Sequence, residues 1–305
     1  MLCILYVIGV GTLLGVAGLL VERALPAGAP RRWIWCVAIA GTMLVPPFYR
    51  ASHHAVVGGP TVHSHGSGSQ ASWLERTADF NPFIVDVWQV MTVLLIAWVL
   101  FEICRVALLV RRARRGQREQ IVDGVPVVMT DAIGPATVGV FRSRVLLPRW
   151  VAGLPPTERQ YVVRHEDEHR RANDARMLFL ASLPLIVMPW NLALWWQVRR
   201  LRLAVEMDCD RRVVRALGDH QAYAALLFKV AVAAQPGPRL QPAFLGAGML
   251  ERRLRALVVP PRMSMALRVA LPVIAIALLI VVLLAPHPVL PTDVVVTAAT
   301  SGGAR

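Results

Sequence analysis

The stretch MLFLASLPLIVMPWNLALWWQV (residues 177–198) decides the fold of this chain, because it is compatible with either a membrane-spanning helix or a helical hairpin. The tripeptide Pro189-Trp190-Asn191 lies near its middle, and the asparagine can cap a new helix. The arm 177–188 would form about 18 Å of helix and the return 192–206 about 22 Å, whereas the hydrocarbon core of a bilayer is about 30 Å thick. We therefore predict a hairpin over 177–206 that returns the chain to the side from which it came.

The motif RHEDEHRRAND (164–174) precedes the hairpin. On a helix, His165 and His169 lie one turn apart on the same face, and two imidazoles at this H-E-x-x-H spacing can bind one Zn²⁺ ion. Glu166 follows the first histidine and can act as the general base that takes a proton from water. A charged helical face that contains histidines by chance is the simpler alternative.

A second motif follows the hairpin, in the helical pattern RRLRLAVEMDCDRRVVRALG (199–218). Glu206 is the candidate for the third zinc ligand, and Asp210, one turn later, can accept the spare ring N–H of a ligand histidine. A hairpin brings Glu206 back to the level of His169, whereas a single crossing would place the two residues on opposite sides of the membrane. The three-ligand site therefore depends on the hairpin.

Other residues near these motifs have two interpretations each. Cys209 could approach the metal, although a packed core thiol is the simpler interpretation, and Asp174 could bond within the site or bind the local arginines. No group that stabilises an oxyanion can be assigned; the candidates by proximity in sequence are His220, Tyr223 and Arg212.

The composition is typical of a membrane protein. Of 305 residues, 56% are hydrophobic and only 17% are charged, compared with about one quarter charged in soluble domains. Lys and Arg exceed Asp and Glu by 33 to 19. Basic loops beside apolar segments explain this excess, and no nucleic-acid-binding pattern accompanies it, so we expect no direct contact with nucleic acid.

Four apolar segments predict four transmembrane helices, at residues 2–21, 33–49, 83–109 and 266–285. Arginines concentrate in 22–32 and 111–118, which places these segments in the cytoplasm and both termini outside. The predicted organisation is three helices in 1–110 with an outer loop at 50–82, a cytoplasmic peptidase domain at 111–265, the fourth helix at 266–285 and an outer tail at 286–305. The predicted localisation is a bacterial-type cytoplasmic membrane.

The segment 125–148 is rich in β-branched residues with Gly and Pro breaks, which predicts two or three strands. An edge strand can pair with the backbone of an extended peptide, and we assign this role to Val138, Gly139, Val140 and Phe141. A small sheet with only a structural role is the alternative.

Three segments in this order resemble the membrane zinc peptidases of the beta-lactam sensor type, the Bla and Mec receptors: GPATVGVFRSRVLLPRW (134–150), RHEDEHRRAND (164–174) and EMDCDRRVV (206–214). The segment ERRLRAL (251–257), before the last predicted span, is a weaker match. The resemblance extends over the chain to about residue 285.

The resemblance implies a mainly α membrane protein with a cytoplasmic gluzincin-like domain, a small β-sheet and one Zn²⁺ cofactor. It also implies that His165, His169 and Glu206 bind the zinc and that Glu166 is the catalytic base. The expected function is a regulatory endopeptidase that cleaves a cytoplasmic protein, such as a winged-helix repressor, and in some members itself. The sequence leaves open whether the chain forms a homodimer.

The chain departs from these receptors in two respects. They continue after the last span into an extracellular penicillin-binding domain, whereas only about twenty residues follow here, so we expect no direct beta-lactam sensing by that route. The motif HEDEH also has acids where the family more often has a neutral pair. Two alternatives stay open: an inactive signalling or scaffold protein with a structural metal site, and a housekeeping membrane protease of the prenyl-protein or stress-protease kind.

Overall fold

The computed structural model is mainly helical with one small sheet, as the sequence predicts. It describes residues 2–26, 28–56, 81–114, 119–130, 134–233, 243–259 and 263–284. The helices of this described part are α1 Leu2–Ala24, α2 Arg32–Val56, α3 Asn81–Arg114, α4 Arg149–Ala152, α5 Pro156–Arg171, α6 Asp174–Ser182, α7 Pro184–Val187, α8 Leu192–Leu217, α9 His220–Ala233, α10 Ala243–Val258 and α11 Met265–Leu284. The strands, which lie between α3 and α4, are β1 Gln120–Val122, β2 Val125–Thr130, β3 Ala136–Val138 and β4 Arg144–Pro148.

Three helices of the described part are long and apolar enough to cross a membrane, and their apolar segments are Ile4–Ala24, Val85–Arg105 and Met265–Leu284. In α2 the apolar segment is shorter, Arg32–Leu44. The chain therefore has the helices of a membrane protein, while a fourth span at 33–49 stays a prediction.

Helix α8 begins among the apolar helices. Its first half packs against α1 and α2, where Trp35 is fully buried beside Leu194 and Leu201. The buried Gln197 amide Nε2 donates to the Gly11 carbonyl of α1 at 2.7 Å and lies 3.0 Å from the Thr42 hydroxyl of α2. These bonds satisfy a polar side chain in an apolar environment, so they fix the position of α8 relative to both helices.

The chain reverses direction between α7 and α8. Asn191 is the N-cap residue of α8, and its side chain accepts a hydrogen bond from the Leu194 amide at 3.3 Å. Helix α6, on the incoming side, contacts α8 on the returning side. The segment 177–206 therefore doubles back, and its two ends lie close together.

The sheet has the strand order β1-β2-β4-β3, with β2 and β4 parallel and the other pairs antiparallel. Val127, Val145 and Leu147 are buried in one core with Val163 of α5 and Val213 of α8. The sheet thus supports the two helices that carry the histidine and glutamate motifs, and β3 forms its edge beside α5.

The predicted extent of the substrate strand was wrong. The strand ends at Val138, because Gly139 has φ +106° and starts a turn in which a Cβ would lie 2.5 Å from the Arg142 carbonyl oxygen. Val140 and Phe141 lie within this turn, and Phe141 is 83% exposed. The edge strand is therefore Ala136–Val138, two residues earlier than the segment we predicted.

Candidate metal centre

Helix α5 brings the two histidines of the first motif together. Its first half packs through the buried Tyr161, Val162 and Val163 into the core, which turns the following residues toward the interior. The Nε2 atoms of His165 and His169 lie 3.2 Å apart, and their rings are nearly perpendicular at 89°. Both Nε2 atoms therefore face one common point.

Glu206 reaches the same point from α8. Its Oε2 atom lies 3.6 Å from His165 Nε2, and its Oε1 atom lies 3.8 Å from His169 Nε2. Tetrahedral ligands at zinc-nitrogen distances stand about 3.3 Å from one another. The spacing of two imidazoles and a carboxylate here fits one small divalent cation. To reach the ideal distance, the carboxylate oxygens would move by only a few tenths of an ångström.

The outer nitrogen of each histidine has its own partner. His169 Nδ1 lies 2.8 Å from Asp174 Oδ2, and His165 Nδ1 lies 2.9 Å from the Tyr223 hydroxyl. That hydroxyl donates to Asp210 Oδ1 at 2.8 Å, so its oxygen is left to accept the Nδ1–H of His165. With both Nδ1 atoms engaged in this way, the Nε2 lone pairs are available to a metal.

Asp210 and Asp174 thus lie beside the histidines, though not both as expected. Asp210 is 3.6 Å from His165 Nδ1 and reaches it through Tyr223. Asp174 bonds to His169 and is also paired with an arginine, Arg32 NH1, at 2.8 Å. Asp174 therefore bonds within the site, and the arginine that it binds comes from α2 rather than from the neighbouring sequence.

Arginines surround these carboxylates. Arg253 of α10 binds Glu206 Oε2 at 3.0 Å through NH1, and it binds both oxygens of Asp210, at 2.7 and 2.8 Å. Arg253 and Arg32 were not among the predicted site residues, although Arg253 lies in the ERRLRAL segment that carries the weaker resemblance. No sequence signal pointed to Arg32, which precedes the site by more than 130 residues.

The electrostatic field at the centre favours a cation. Burial lowers the pKa of His165, but its interaction with Cys209 and its hydrogen bond to Glu206 outweigh burial and raise this pKa to about 10. Burial also lowers the pKa of His169, yet Glu206 and Asp174 raise it well above its usual value. Burial raises the pKa of Glu206, but Arg253 and the two histidines hold it well below its usual range. A divalent cation would meet the same negative potential that attracts protons to the histidines.

Cys209 is a second candidate for the third ligand. Within the described residues, the ligand atoms of His165, His169 and Cys209 all lie within 4.8 Å of one another. The thiol is fully buried, 3.4 Å from His165 Nδ1 and 3.4 Å from the His165 carbonyl oxygen, to which it donates. We favour Glu206, because its oxygens face the Nε2 atoms, whereas the sulfur contacts the Nδ1 atom and is satisfied by the backbone.

Glu166 lies beside the histidines in a cavity of about 530 Å³. The Thr137 hydroxyl of β3 is 3.1 Å from Glu166 Oε2 and 2.7 Å from the Glu166 carbonyl oxygen. The cavity is also lined by Ala136 on the edge strand and by an apolar wall on α6, α9 and α10 that includes Leu178, Leu226, Leu227, Val230 and Leu250. The carboxylate of Glu166 is thus held between the histidine pair and the edge of the sheet.

The three candidates for an oxyanion-stabilising group differ in position. Tyr223 lines the cavity, but its hydroxyl is engaged with His165 and Asp210. Arg212 binds Glu168 at 2.9 Å, and His220 is exposed. Among the described residues that line the cavity, Arg253 is the additional cationic donor.

Residues 27–257 match the family model described as BlaR1 peptidase M56. A segment of 97 residues is 27% identical to the regulatory protein BlaR1 of Bacillus licheniformis, and this match covers 31% of the chain but only 16% of that protein. The resemblance to the beta-lactam sensor peptidases is thus confirmed at the level of the family. Since the family model spans more than half of the chain, the chain belongs to the BlaR1 peptidase M56 family of metallopeptidases.

Proposed function

We propose that the protein is a membrane zinc endopeptidase in which His165, His169 and Glu206 bind one Zn²⁺ and Glu166 is the catalytic base. The observation that carries this proposal is the convergence of two Nε2 atoms and a carboxylate beside Glu166 in one cavity. Two histidines and a glutamate are a common ligand set of catalytic zinc, which keeps a fourth position open.

The residues around the centre have distinct roles in the proposed reaction. A bound Zn²⁺ would supply a Lewis acid that polarises the carbonyl of the scissile peptide bond. Glu166 takes a proton from the attacking water and delivers it to the leaving amine. The Thr137 hydroxyl donates to the Glu166 carbonyl and so fixes the backbone of Glu166 beside the edge strand, while Asp174 and Tyr223 hold the two imidazoles in the orientation that ligation needs.

The substrate is proposed to be an extended segment of protein. Strand β3 pairs with β4 on one side, and no other described strand pairs with its second side. Ala136 and Thr137 of this strand line the cavity, so a peptide that adds to β3 would pass Glu166 and the histidines. The apolar wall opposite suits a large apolar side chain next to the scissile bond.

We further propose that the substrate is a cytoplasmic protein, such as a winged-helix repressor, and that the enzyme also cleaves itself. The arginine-rich segments 22–32 and 111–118 support a cytoplasmic peptidase region at 111–265, with four spans and both termini outside. The word regulatory in the name of the Bacillus licheniformis relative supports a role in control rather than in general turnover. It therefore favours this proposal over a housekeeping protease.

One observation favours an inactive scaffold as a second candidate. A bound metal that takes Cys209 as well as Glu206 would have four protein ligands, and such closed sites are structural rather than catalytic. The two candidates differ in what Glu166 does, because a structural site has no use for a general base.

The test compares purified wild-type protein and Glu166→Gln, together with the proteomes of cells that express each. We expect about one zinc per chain in both proteins, and cleaved products only with the wild type. Zinc in both proteins without any cleavage that depends on Glu166 would favour the scaffold. If the wild type binds no zinc, or if His165→Ala keeps it, the metal centre is wrong.

A further inference from the structure

A second cavity, of about 110 Å³, lies behind the metal centre, and its size suits one small ion rather than a peptide. It is bounded by α8, by α10 and by the segment that joins α1 to α2. Three arginines and one carboxylate line it, Arg31, Arg211, Arg253 and Asp210, together with apolar side chains such as Met207 and Leu257. Its charged lining therefore comes from three separate parts of the chain.

The three arginines differ in the carboxylates available to them. Arg211 is paired with Asp208, and Arg253 is paired with Asp210 and Glu206. For Arg31 the described part of the chain supplies no carboxylate partner, and its Nε atom is buried without a hydrogen bond. A guanidinium N–H that is withdrawn from water without an acceptor is costly, so the Nε–H of this side chain is suited to an anion from outside the chain.

The position of Arg31 is fixed by its backbone. Its amide lies 3.3 Å from Asp208 Oδ1, and the amide of Arg32 lies 3.2 Å from Asp208 Oδ2. Arg211 also donates to the Ala29 carbonyl at 2.7 Å. The segment is thus attached to α8, and the side chain of Arg31 is held at the cavity.

Positive charges at this cavity repel one another. Burial lowers the pKa of Arg211, Asp208 partly offsets the effect, and the charges of Arg31 and Arg215 lower it further. Arg215 lies over the same joining segment, since its NH2 atom is 3.8 Å from where a Cβ on Gly28 would stand. An anion in the cavity would relieve this repulsion.

The cavity also lies where the apolar helices meet the rest of the chain. Helix α1 ends at Ala24, α2 begins at Arg32 and α11 begins at Met265, and Val259, which lines the cavity just before α11, is 57% exposed. If these helices span a bilayer, this is the level of the lipid headgroups.

We propose that Arg31, Arg211 and Arg253 form a binding site for one phosphate group, either free or in the headgroup of an anionic lipid. The planar donors of arginine match the oxygens of phosphate in pairs, and three guanidinium groups from three segments can surround one such group. The site takes no part in the proposed peptidase reaction, although Arg253 also binds Glu206 of the metal centre.

The test measures the thermal unfolding of the purified full-length protein in detergent as a probe is added. The probes are phosphatidylglycerol, phosphatidylcholine and inorganic phosphate, and the variants are Arg31→Gln, Arg31→Lys and the control Arg23→Gln. Arg23 is exposed at the end of α1, so the control removes the same charge nearby. We expect saturable stabilisation of the wild type and the control, about tenfold or more weaker binding by Arg31→Gln, and partial recovery in Arg31→Lys.

The probes distinguish the two sources of phosphate. Stabilisation by phosphatidylglycerol alone assigns the site to a lipid headgroup, whereas equal stabilisation by inorganic phosphate assigns it to the free ion. Equal binding by Arg31→Gln and Arg23→Gln overturns the proposal, as does an equal response to phosphatidylglycerol and phosphatidylcholine without any response to phosphate. If Arg31→Gln is already unstable without a probe, Arg31→Lys is compared with Arg23→Gln instead. Equal binding by these two variants then overturns the proposal.

Discussion

His169 Nδ1 lies 2.8 Å from Asp174 Oδ2, and Asp174 Oδ1 in turn accepts a hydrogen bond from Arg32 NH1 at 2.8 Å. A carboxylate on the outer nitrogen of a ligand histidine makes the ring a stronger ligand. If the centre binds zinc as proposed, its affinity therefore depends on a residue outside the H-E-x-x-H motif.

Asp174→Asn is expected to weaken zinc binding by about tenfold to a hundredfold. The amide that replaces the carboxylate carries no charge and is a poor acceptor for the histidine N–H. Competition with a fluorescent chelator measures the affinity. The exposed Glu251→Gln is the control, and equal affinities in both variants would contradict the role of Asp174.

Glu206→Gln and Cys209→Ser together identify the third ligand. We expect Glu206→Gln to lose most of its zinc and Cys209→Ser to retain it, because the Glu206 oxygens face both Nε2 atoms. Zinc content and the absorption of the cobalt-substituted protein are the measurements, since a bound thiolate adds a charge-transfer band. The opposite pattern, with that band present in the wild type and absent in Cys209→Ser, would assign the ligand to the thiol.

Tyr223→Phe is expected to lower kcat more than KM. The change removes the hydroxyl between His165 and Asp210, so the imidazole loses its partner while the cavity keeps its shape. The stability should fall by about 1–2 kcal/mol, the cost of a buried hydrogen bond. Tyr161→Phe is the matched control, because the Tyr161 hydroxyl bonds only weakly to the Gly218 carbonyl, at 3.3 Å. The same kinetic effect in both variants would contradict the role of the Tyr223 hydroxyl between His165 and Asp210.

Arg253→Ala is expected to destabilise the fold by about 3 kcal/mol or more, because it leaves the buried Asp210 and the half-buried Glu206 without their cation. Its side chain is only 14% exposed and binds both Glu206 and Asp210. The neighbouring Arg252→Ala, an exposed position on the same helix, should change stability by less than about 0.5 kcal/mol. Urea unfolding of both variants measures the difference, and similar values would show that Arg253 does not stabilise the site.

The metal-free protein should lose stability as the pH rises. Burial lowers the pKa of His165, but Cys209 and Glu206 raise it to about 10, above the 6.5 that is usual for a histidine. A raised pKa in the folded state stabilises the fold fully below the pKa of the unfolded state, and this contribution is lost as the pH passes the folded value. The free energy of unfolding of chelator-treated protein, measured between these two pH values, gives the loss of stability. The loss should be smaller in His165→Gln, and identical pH profiles of the two proteins would contradict the prediction.

The metal centre could be predicted from sequence to the extent that it depends on local periodicity. His165 and His169 are neighbours because a helix repeats every 3.6 residues, and Glu206 returns to them because both arms of the hairpin are short. Tyr223, Arg32 and Arg253 reach the site from separate helices, so their roles depend on tertiary packing that no local pattern encodes.

The edge strand shows a second limit. The β-branched residues of 125–148 correctly indicated a small sheet, but the pattern continues through Val140 and Phe141 beyond the end of the strand. Gly139 ends β3 through a positive φ, and a glycine in sequence does not reveal which conformation it adopts. The apolar helices show a third limit. Hydropathy predicts the length and position of an apolar helix, but it does not predict which other helices pack against it.

Helix α8 is continuous from Leu192 to Leu217, so Gln197 and Glu206 belong to one stiff rod and stand about 14 Å apart along its axis. Gln197 is held by α1 and α2, whereas the histidines belong to the separate helix α5. If the apolar helices move along their axes or rotate about them, and Gln197 moves with them, Glu206 therefore also shifts relative to the two imidazoles. The spacing of the proposed metal ligands is in this way mechanically linked to the arrangement of the apolar helices.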